Sequence, residues 1–330
     1  MRLRKNTTKL AVVGVLAAFA VVPTTNASEP PPLPQLAMSA VPAATSGSTS
    51  SLANSVANYG LNWLKNGLGE SAPDWAKRIE LEFDLLEDEE PTWSILTVQP
   101  LYQTGSLDKT LFLQARAAKN YKFGDDRITA NIGLGYRQLF MDNTLLLGVN
   151  TFHDYESEMD HTRVGVGAEA RWYNFDFYAN YYDATSDTRT YTDATGSGTE
   201  KALDGFDLEL TSQVPYLPWL RVRGKYFEYD SDKATEDVDG WSYSAEMDLH
   251  PNMRLEVGSI DDNFSDNAVF AKFTFQLASA SRPAATKQFV ADKAFELRDM
   301  TTHTLDKVRR NNTIRVERVT NGAITISRGL

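Results

Sequence analysis

Cysteine is absent from the 330 residues, and the 44 acidic residues outnumber the 33 basic ones. Without cysteine the chain has neither a disulfide framework nor thiol chemistry. The formal net charge of −11 argues against nucleic acid as a partner, because phosphate backbones attract basic proteins. The longest apolar run is the N-terminal one at 10–22, and no run in the sequence reaches the length of a transmembrane helix. The mean hydropathy of −0.38 still permits a membrane-spanning barrel, because half of the residues in each barrel strand are polar.

The N-terminus has the three regions of a secretory signal. Four basic residues up to Lys9 precede an apolar run at 10–22, and Thr25-Asn26-Ala27 follows it. This run is shorter than the roughly 20 residues of a membrane anchor, so we expect export and cleavage after Ala27. Cleavage removes four basic residues and no acidic one, which changes the net charge from −11 to −15. We expect a disordered periplasmic leader at 28–51, rich in Pro, Ala, Ser and Thr, and a short helical periplasmic segment at 52–77.

Residues 78–277 carry the period of two that a β-strand imposes. Between Ile128 and Arg137, apolar residues alternate with Thr, Asn, Gly and Arg. Twelve such segments follow one another, and aromatic residues cluster near their ends. The connections alternate between short or apolar turns, such as 141–142, and acidic and often longer segments, such as 120–126 and 184–204. Outer-membrane barrels have short periplasmic turns and longer external loops, so we predict an all-β fold, a twelve-stranded antiparallel transmembrane β-barrel of the outer membrane.

Charged residues recur on the strand faces opposite the apolar ones. An ionised side chain facing lipid at mid-membrane costs about 2 to 4 kcal/mol, so these residues must point into a hydrated or ion-paired lumen. Two interpretations stay open: an aqueous conduit, and a structural network that braces the barrel. The predicted lumen-facing charges are Glu80, Glu82, Asp84, Arg163, Glu169, Arg171, Asp207, Glu209, Arg221, Arg223, Lys225, Arg254 and Glu256.

Several runs resemble the inverse autotransporter β-domain of the intimin and invasin family. They include PLY at 100–102, ITANIGLGYR at 128–137 and GVNTFHDY at 148–155, and the resemblance continues through 163–172, 180–182 and 205–207. The resemblance implies an outer-membrane translocator and anchor of a Gram-negative bacterium, whose C-terminal segment passes back through its own pore to the cell surface. It implies outer-membrane lipid, lipopolysaccharide, the β-barrel assembly machinery and periplasmic chaperones as partners, and no cofactor.

The resemblance also gives the tail at 278–330 a role. A helix over 287–302 looks like the pore helix of this family, and an extended linker and a short hairpin around Asn321-Gly322 follow it. Residues 278–330 contain none of the immunoglobulin-like passenger domains that are usual in this family. We therefore expect the barrel to export or display its own tail, or a separately encoded protein. The residues expected in the pore helix and linker are Phe289, Lys293, Leu297, Met300, Asn311, Asn312, Ile314 and Val316.

A second candidate function is adhesion through the external loops. The 184–204 segment is the longest acidic connection and would contact a host or bacterial surface receptor. The barrel would then act as a binding module and not as an exporter. Its candidate binding residues are Asp187, Arg189, Tyr191, Asp193 and Glu200.

Catalysis and metal binding have weak sequence support. His153 and His161 flank one predicted external loop, where a rim hydrolase could place an acid and a base, but no serine lies in a nucleophile-elbow motif. Residues 235–246 approach the spacing of a calcium loop, yet Thr235 occupies the first ligand position. We therefore predict that the protein is not an enzyme and has no specific metal site.

Overall fold

The computed structural model describes residues 73–87, 89–193, 196–276 and 283–329. The predicted signal, the leader at 28–51 and most of the helical segment at 52–77 lie outside these residues. The described part of that segment ends in a single 3-10 turn, Ala76–Arg78. The strands are β1 (Ile79–Leu86), β2 (Thr92–Gln103), β3 (Lys109–Lys122), β4 (Asp125–Phe140), β5 (Leu145–Glu156), β6 (His161–Trp172), β7 (Phe175–Ala184), β8 (Arg189–Asp193), β9 (Gly196–Ala202), β10 (Gly205–Val214), β11 (Leu217–Tyr229), β12 (Val238–His250), β13 (Met253–Asp262), β14 (Ser265–Gln276), β15 (Val316–Thr320) and β16 (Ala323–Ile326).

Twelve of these strands form one closed antiparallel barrel. β1 to β7 and β10 to β14 pair in chain order, and β1 closes the sheet by pairing with β14, with Glu80 opposite Gln276. Closure leaves no unpaired edge in the barrel wall, which is what a sheet needs in lipid. The predicted twelve-stranded antiparallel barrel is confirmed.

The two faces of the wall differ in polarity. In β4, Ile132, Leu134 and Tyr136 point outward and are exposed, whereas Asn131 and Arg137 point inward and are fully buried. Inward glycines leave room for aromatic rings, since a Cβ atom at Gly135 would overlap the ring of Phe112. The result is an apolar outer surface around a polar interior, the arrangement of a membrane barrel.

The two ends of the barrel differ in their connections. At one end, which we name the turn end, the strands are joined by connections of two to five residues, such as 173–174 between β6 and β7. At the other, the loop end, the connections include 185–204 between β7 and β10 and 230–237 between β11 and β12. The acidic connection expected at 120–126 is shorter than predicted, because β3 continues to Lys122 and only Phe123 and Gly124 form the turn. The strands extend there because Lys122 turns inward to pair with Glu156 at 2.6 Å.

A second, four-stranded sheet lies at the loop end. Its order is β16-β15-β9-β8, so the long loop contributes two strands and the tail contributes two. The β15–β16 hairpin turns at Asn321 and Gly322, whose φ angles of 51° and 86° are typical of a tight hairpin turn. The sheet joins the tail to the barrel through the pairing of β15 with β9.

The prediction of a pore helix over 287–302 is wrong for the described residues. This segment runs along the turn end without regular structure, and only Met300–His303 forms a 3-10 turn. Its backbone forms hydrogen bonds to the barrel turns. The Ala291 amide donates to the Tyr216 carbonyl at 2.8 Å, and the Met300 amide donates to the Asn143 carbonyl at 2.8 Å. These hydrogen bonds replace those of a helix. Leu297, which would lie on the apolar face of the predicted helix, is 61% exposed. No helix among the described residues is long and apolar enough to cross a membrane.

Candidate functional site

The chain's own tail occupies the barrel lumen. Thr304 lies at the turn end, where its carbonyl accepts a hydrogen bond from Arg137 at 3.0 Å. Asn311 lies deeper, bonded to Tyr182 at 2.7 Å and Tyr229 at 2.8 Å, and β15 then pairs with β9 at the loop end. The tail therefore runs through the barrel from the turn end to the loop end. A cavity of about 480 Å³ remains beside its entry point.

Several inward side chains of the barrel bond to the backbone of the tail. These side chains lie on β3, β4, β6 and β7, so they contact the tail from one side of the lumen. Every residue offers the same carbonyl and amide groups, so such contacts hold an extended chain whatever its sequence. The bonds are Arg137 to the carbonyls of Thr304 and Asp306, Arg163 to those of Asn311 and Thr313, Asn180 to Arg309, Asn131 to Asn312, Lys122 to Ile314, and the Val308 amide to Gln114.

The predicted pore-helix and linker residues divide into two groups. Phe289, Lys293 and Leu297 are exposed at the turn end. Met300 is fully buried against Leu139 and Leu146, and anchors the tail just before it enters the lumen. The structure places the linker residues inside the barrel or in the loop-end sheet: Asn311, Ile314 and Val316 are buried and Asn312 is half-buried.

The thirteen predicted lumen charges lie on the inward faces of their strands. Two of them, Glu80 and Glu82, pair with Lys307 of the tail, and Arg171 pairs with Asp306 at 2.7 Å. Both signs are paired along the wall, which is the arrangement of a bracing network. The remaining contacts are Asp84 with Lys272, Arg163 with Asp154, Glu169 with Arg137, Asp207 with Asn180, Arg221 with Asp176, Arg223 with Glu209 and Glu256, and Arg254 with Asp248, while Lys225 lines a small cavity beside Arg223.

Asp154 is the central carboxylate of the lumen, and the sequence prediction missed it. It is fully buried and accepts hydrogen bonds from Arg310 of the tail at 2.9 and 2.7 Å. Arg163 and Asn131 donate to the same carboxylate at 2.9 and 2.8 Å. Asp154 thus joins three barrel strands to the tail. The sequence could have indicated this residue, because the alternation along β5 places Asp154 on the same inward face as Phe152.

A second buried network joins the tail to the long loop. Glu200 of β9 accepts hydrogen bonds from Arg127 at 2.6 and 2.9 Å, from Arg318 at 2.9 Å, and shares one with His161 at 3.1 Å. Burial raises the pKa of the Glu200 carboxyl, but the bonds to His161 and Arg127 outweigh it and hold the pKa below its usual range. Glu156 pairs with Arg127 at 2.9 Å and connects this network to the wall.

Only part of the candidate binding loop faces solvent. Asp187 is exposed, and Arg189 is half-buried with a bond to the Asp160 carbonyl at 3.4 Å. Tyr191 bonds to Thr320 of the tail, and Glu200 is buried in the network described above. Asp193 ends β8, and its side chain lies outside the described residues. Two of the five candidates therefore turn toward the tail and not toward a partner in solution.

The residues considered for catalysis and metal binding do not come together. His153 points outward from β5, whereas His161 is buried inside. Glu246, the last position of the calcium-like spacing, lies in the lumen paired with Arg309. Within the described ranges, one carboxylate cluster could hold a cation: Glu228, Asp230 and Asp237 at the loop end. Burial and the neighbouring Asp237 raise the pKa of Asp230.

Comparison with known proteins places this arrangement in a family. The sequence matches the family described as inverse autotransporter, beta-domain, over residues 35–312. It is 32% identical over 165 residues to a putative attaching and effacing protein homolog of Escherichia coli K12, covering 48% of this chain and 53% of that protein. Identity to intimin of E. coli O127:H6 is 26% over 210 residues, covering 59% and 21%, respectively. Identity to invasin of Yersinia enterocolitica is 27% over 199 residues, covering 58% and 21%.

The chain therefore spans about half the length of the first relative and about a fifth of intimin and invasin. A solved structure from a study of in-meso crystallization of membrane proteins has a TM-score of 0.58 and 23% identity, and the match covers 73% of this chain and 99% of that one. That similarity supports the fold alone. The closed barrel, its apolar outer face and the family match locate the protein in the outer membrane. The chain belongs to the inverse autotransporter β-domain family.

Proposed function

We propose that this protein is an outer-membrane translocator and anchor that places its own C-terminal tail, or a separately encoded protein attached to it, on the cell surface. One observation carries the proposal: from Thr304 onward the tail runs through the lumen and leaves it at the loop end. The loop end then faces outward and the turn end faces the periplasm. An N-terminal signal cleaved near Ala27 supplies the route to the periplasm.

The contacts inside the lumen suit this function. A passage for polypeptide must accept many sequences, and the bonds from barrel side chains to tail carbonyls meet that need. After export the same bonds hold the tail as a plug, so the membrane stays sealed. The barrel wall contacts lipid and lipopolysaccharide, and its assembly requires the β-barrel assembly machinery and periplasmic chaperones.

An epitope tag tests the direction of the tail. The tag is placed after Leu330, and intact cells are treated with antibody or protease. We expect the tag to be accessible in intact cells, while a control tag inserted after Ser51 becomes accessible only when the outer membrane is permeabilised. Heat-modifiable gel migration shows that the barrel is folded in both proteins. A folded barrel whose C-terminal tag stays protected in intact cells contradicts the proposal.

Surface binding through the long loop is the second candidate function. The relatives are named intimin, invasin and attaching and effacing protein homolog, and Asp187 and Thr192 of this loop are exposed at the loop end. Deletion of residues 187–192 removes most of β8 and its pairing with β9, but leaves β9 itself and its pairing with β15 in place. Loss of cell attachment by a variant with a folded barrel and a surface tag would favour this function, and unchanged attachment would exclude this part of the loop.

A further inference from the structure

Three arginines of the tail each lie against two aromatic rings and one carboxylate. Arg310 and Arg318 form hydrogen bonds to their carboxylates, whereas Arg315 forms an ion pair at 3.7 Å. We propose that these three guanidinium-binding cradles set the position at which the tail stops in the barrel. The inference rests on the proposed export of the tail, and it names what ends that movement. The cradles hold Arg310, Arg315 and Arg318.

The first cradle lies in the lumen. The Arg310 guanidinium is 4.3 Å from the ring centroid of Phe152 and 5.4 Å from that of Tyr182. Both terminal nitrogens bond to Asp154, at 2.9 and 2.7 Å. Gly165 opens the remaining side, because a Cβ atom there would lie 2.9 Å from the Arg310 Nη2 atom. The pocket therefore fits the flat guanidinium through both its shape and its charge.

The second cradle lies nearer the loop end. Arg315 is fully buried, with its guanidinium 4.3 Å from the Phe227 ring centroid and 5.0 Å from that of Tyr229. Its carboxylate is Asp262, at 3.7 Å. These three partners come from β11 and β13, and the Tyr229 ring stacks on Tyr182 of the first cradle, with 6.2 Å between the ring centroids.

The third cradle is formed by the loops. The Arg318 guanidinium lies 4.4 Å from the ring centroid of Phe123 and 4.2 Å from that of Tyr191. Its carboxylate is Glu200, at 2.9 Å from Nε and 2.8 Å from Nη2. Residues of the β3–β4 turn, β8 and β9 thus meet around one side chain of the tail.

The chemistry of the cradles supplies what the backbone contacts lack. Carbonyl contacts are the same in every register, and a strand pair such as β9–β15 can slip by two residues without exchanging its faces. A guanidinium is selective, because it stacks on rings and forms paired bonds to a carboxylate, which an ammonium cannot do equally. The spacing of Arg310, Arg315 and Arg318 fills all three cradles in one register, and a shift of two residues in either direction leaves all three without an arginine.

The absence of cysteine makes the register measurable. Thr199 and Val319 are opposite each other in the β9–β15 pair, at a separation that permits a disulfide. T199C/V319C therefore reports the observed register, and T199C/N321C reports a tail displaced by two residues toward the turn end. Both pairs are introduced into the full chain with the C-terminal tag, and disulfide yield is counted only in heat-modifiable protein.

The test variant is R310Q/R315Q/R318Q, and its matched control is K287Q, which removes an exposed cation of the same tail outside the lumen. We expect the ratio of the 199–319 disulfide to the 199–321 disulfide to fall at least about tenfold in the triple variant and to stay unchanged in K287Q. Replacement of the three arginines by lysine should give an intermediate ratio, because charge remains while stacking and paired bonds are lost.

The outcomes separate this inference from the proposed function. A surface tag together with an unchanged disulfide ratio in the triple variant overturns the cradles alone. A protected tag in the parent protein overturns the proposed function and the inference with it. If the triple variant does not fold, the single variants R310Q, R315Q and R318Q decide, and three unchanged ratios overturn the inference.

Discussion

Replacement of Asp154 by asparagine measures how firmly the barrel holds its tail. The carboxylate accepts four hydrogen bonds of 2.7 to 2.9 Å, from Arg163, Arg310 and Asn131. The variant keeps the shape of the side chain but leaves the two guanidinium groups buried beside a neutral amide. Removal of one partner from a buried ion pair costs about 3 to 5 kcal/mol.

The lower part of that range is expected here, because both arginines keep other partners. Arg163 still donates to the carbonyls of Asn311 and Thr313, and Arg310 keeps its contact with the Phe152 ring. A loss of about 3 kcal/mol, with an unfolding slope of about 3 kcal/mol per M urea, moves the urea midpoint down by about 1 M. The assay is urea unfolding of the full chain refolded in detergent, followed by heat-modifiable gel migration.

The control for D154N is D232N. Asp232 pairs with Lys201 at the surface, and both side chains are partly exposed, so its loss should change the free energy of unfolding by less than about 0.5 kcal/mol. In the R310Q background, D154N should cost less than it does in the parent protein. A D154N midpoint equal to that of D232N would refute the reasoning that this carboxylate anchors the tail.

Three further predictions concern the tail and its contacts. The pKa of Glu200 is lowered in the folded protein, so its stabilising contribution is present above its ordinary pKa of about 4.3 and is lost as the pH falls through the folded value. The difference in tail proteolysis between E200Q and the parent protein should therefore vanish in acid. G198A should abolish the 199–319 disulfide, because its Cβ atom would overlap the Val319 carbonyl of β15, while S197A should not. K307Q leaves Glu80 and Glu82 without their tail partner and should lower the urea unfolding free energy by about 3 kcal/mol.

The barrel was predictable from sequence because its signal is local. Each strand shows its two faces through alternation, as in Ile132 and Leu134 against Gly133 and Gly135, and no knowledge of distant residues is needed. The connection at 120–126 was misjudged because its polar residues suggested a loop. Lys122 is polar for another reason, since it pairs inside the barrel with Glu156.

The misplaced helix and the missed site residues have a different cause. Phe289, Lys293 and Leu297 have helical spacing, but the carbonyls and amides of the barrel turns compete for the same backbone, and sequence spacing does not show them. Asp154 and Arg310 are 156 positions apart, so their pairing depends on the path of the tail through the lumen. Single-sequence patterns carry no signal for such a distant contact.

The mixed origin of the loop-end sheet couples the order of the long loop to the arrival of the tail. β8 and β9 alone form a two-stranded hairpin, which is at best marginally stable in water, and β15 and β16 complete the sheet. Before the tail arrives, β9 has an open edge and Glu200 lacks Arg318. The amides of β9 should therefore exchange rapidly with solvent until the tail docks. Their protection from hydrogen exchange then reports when assembly is complete.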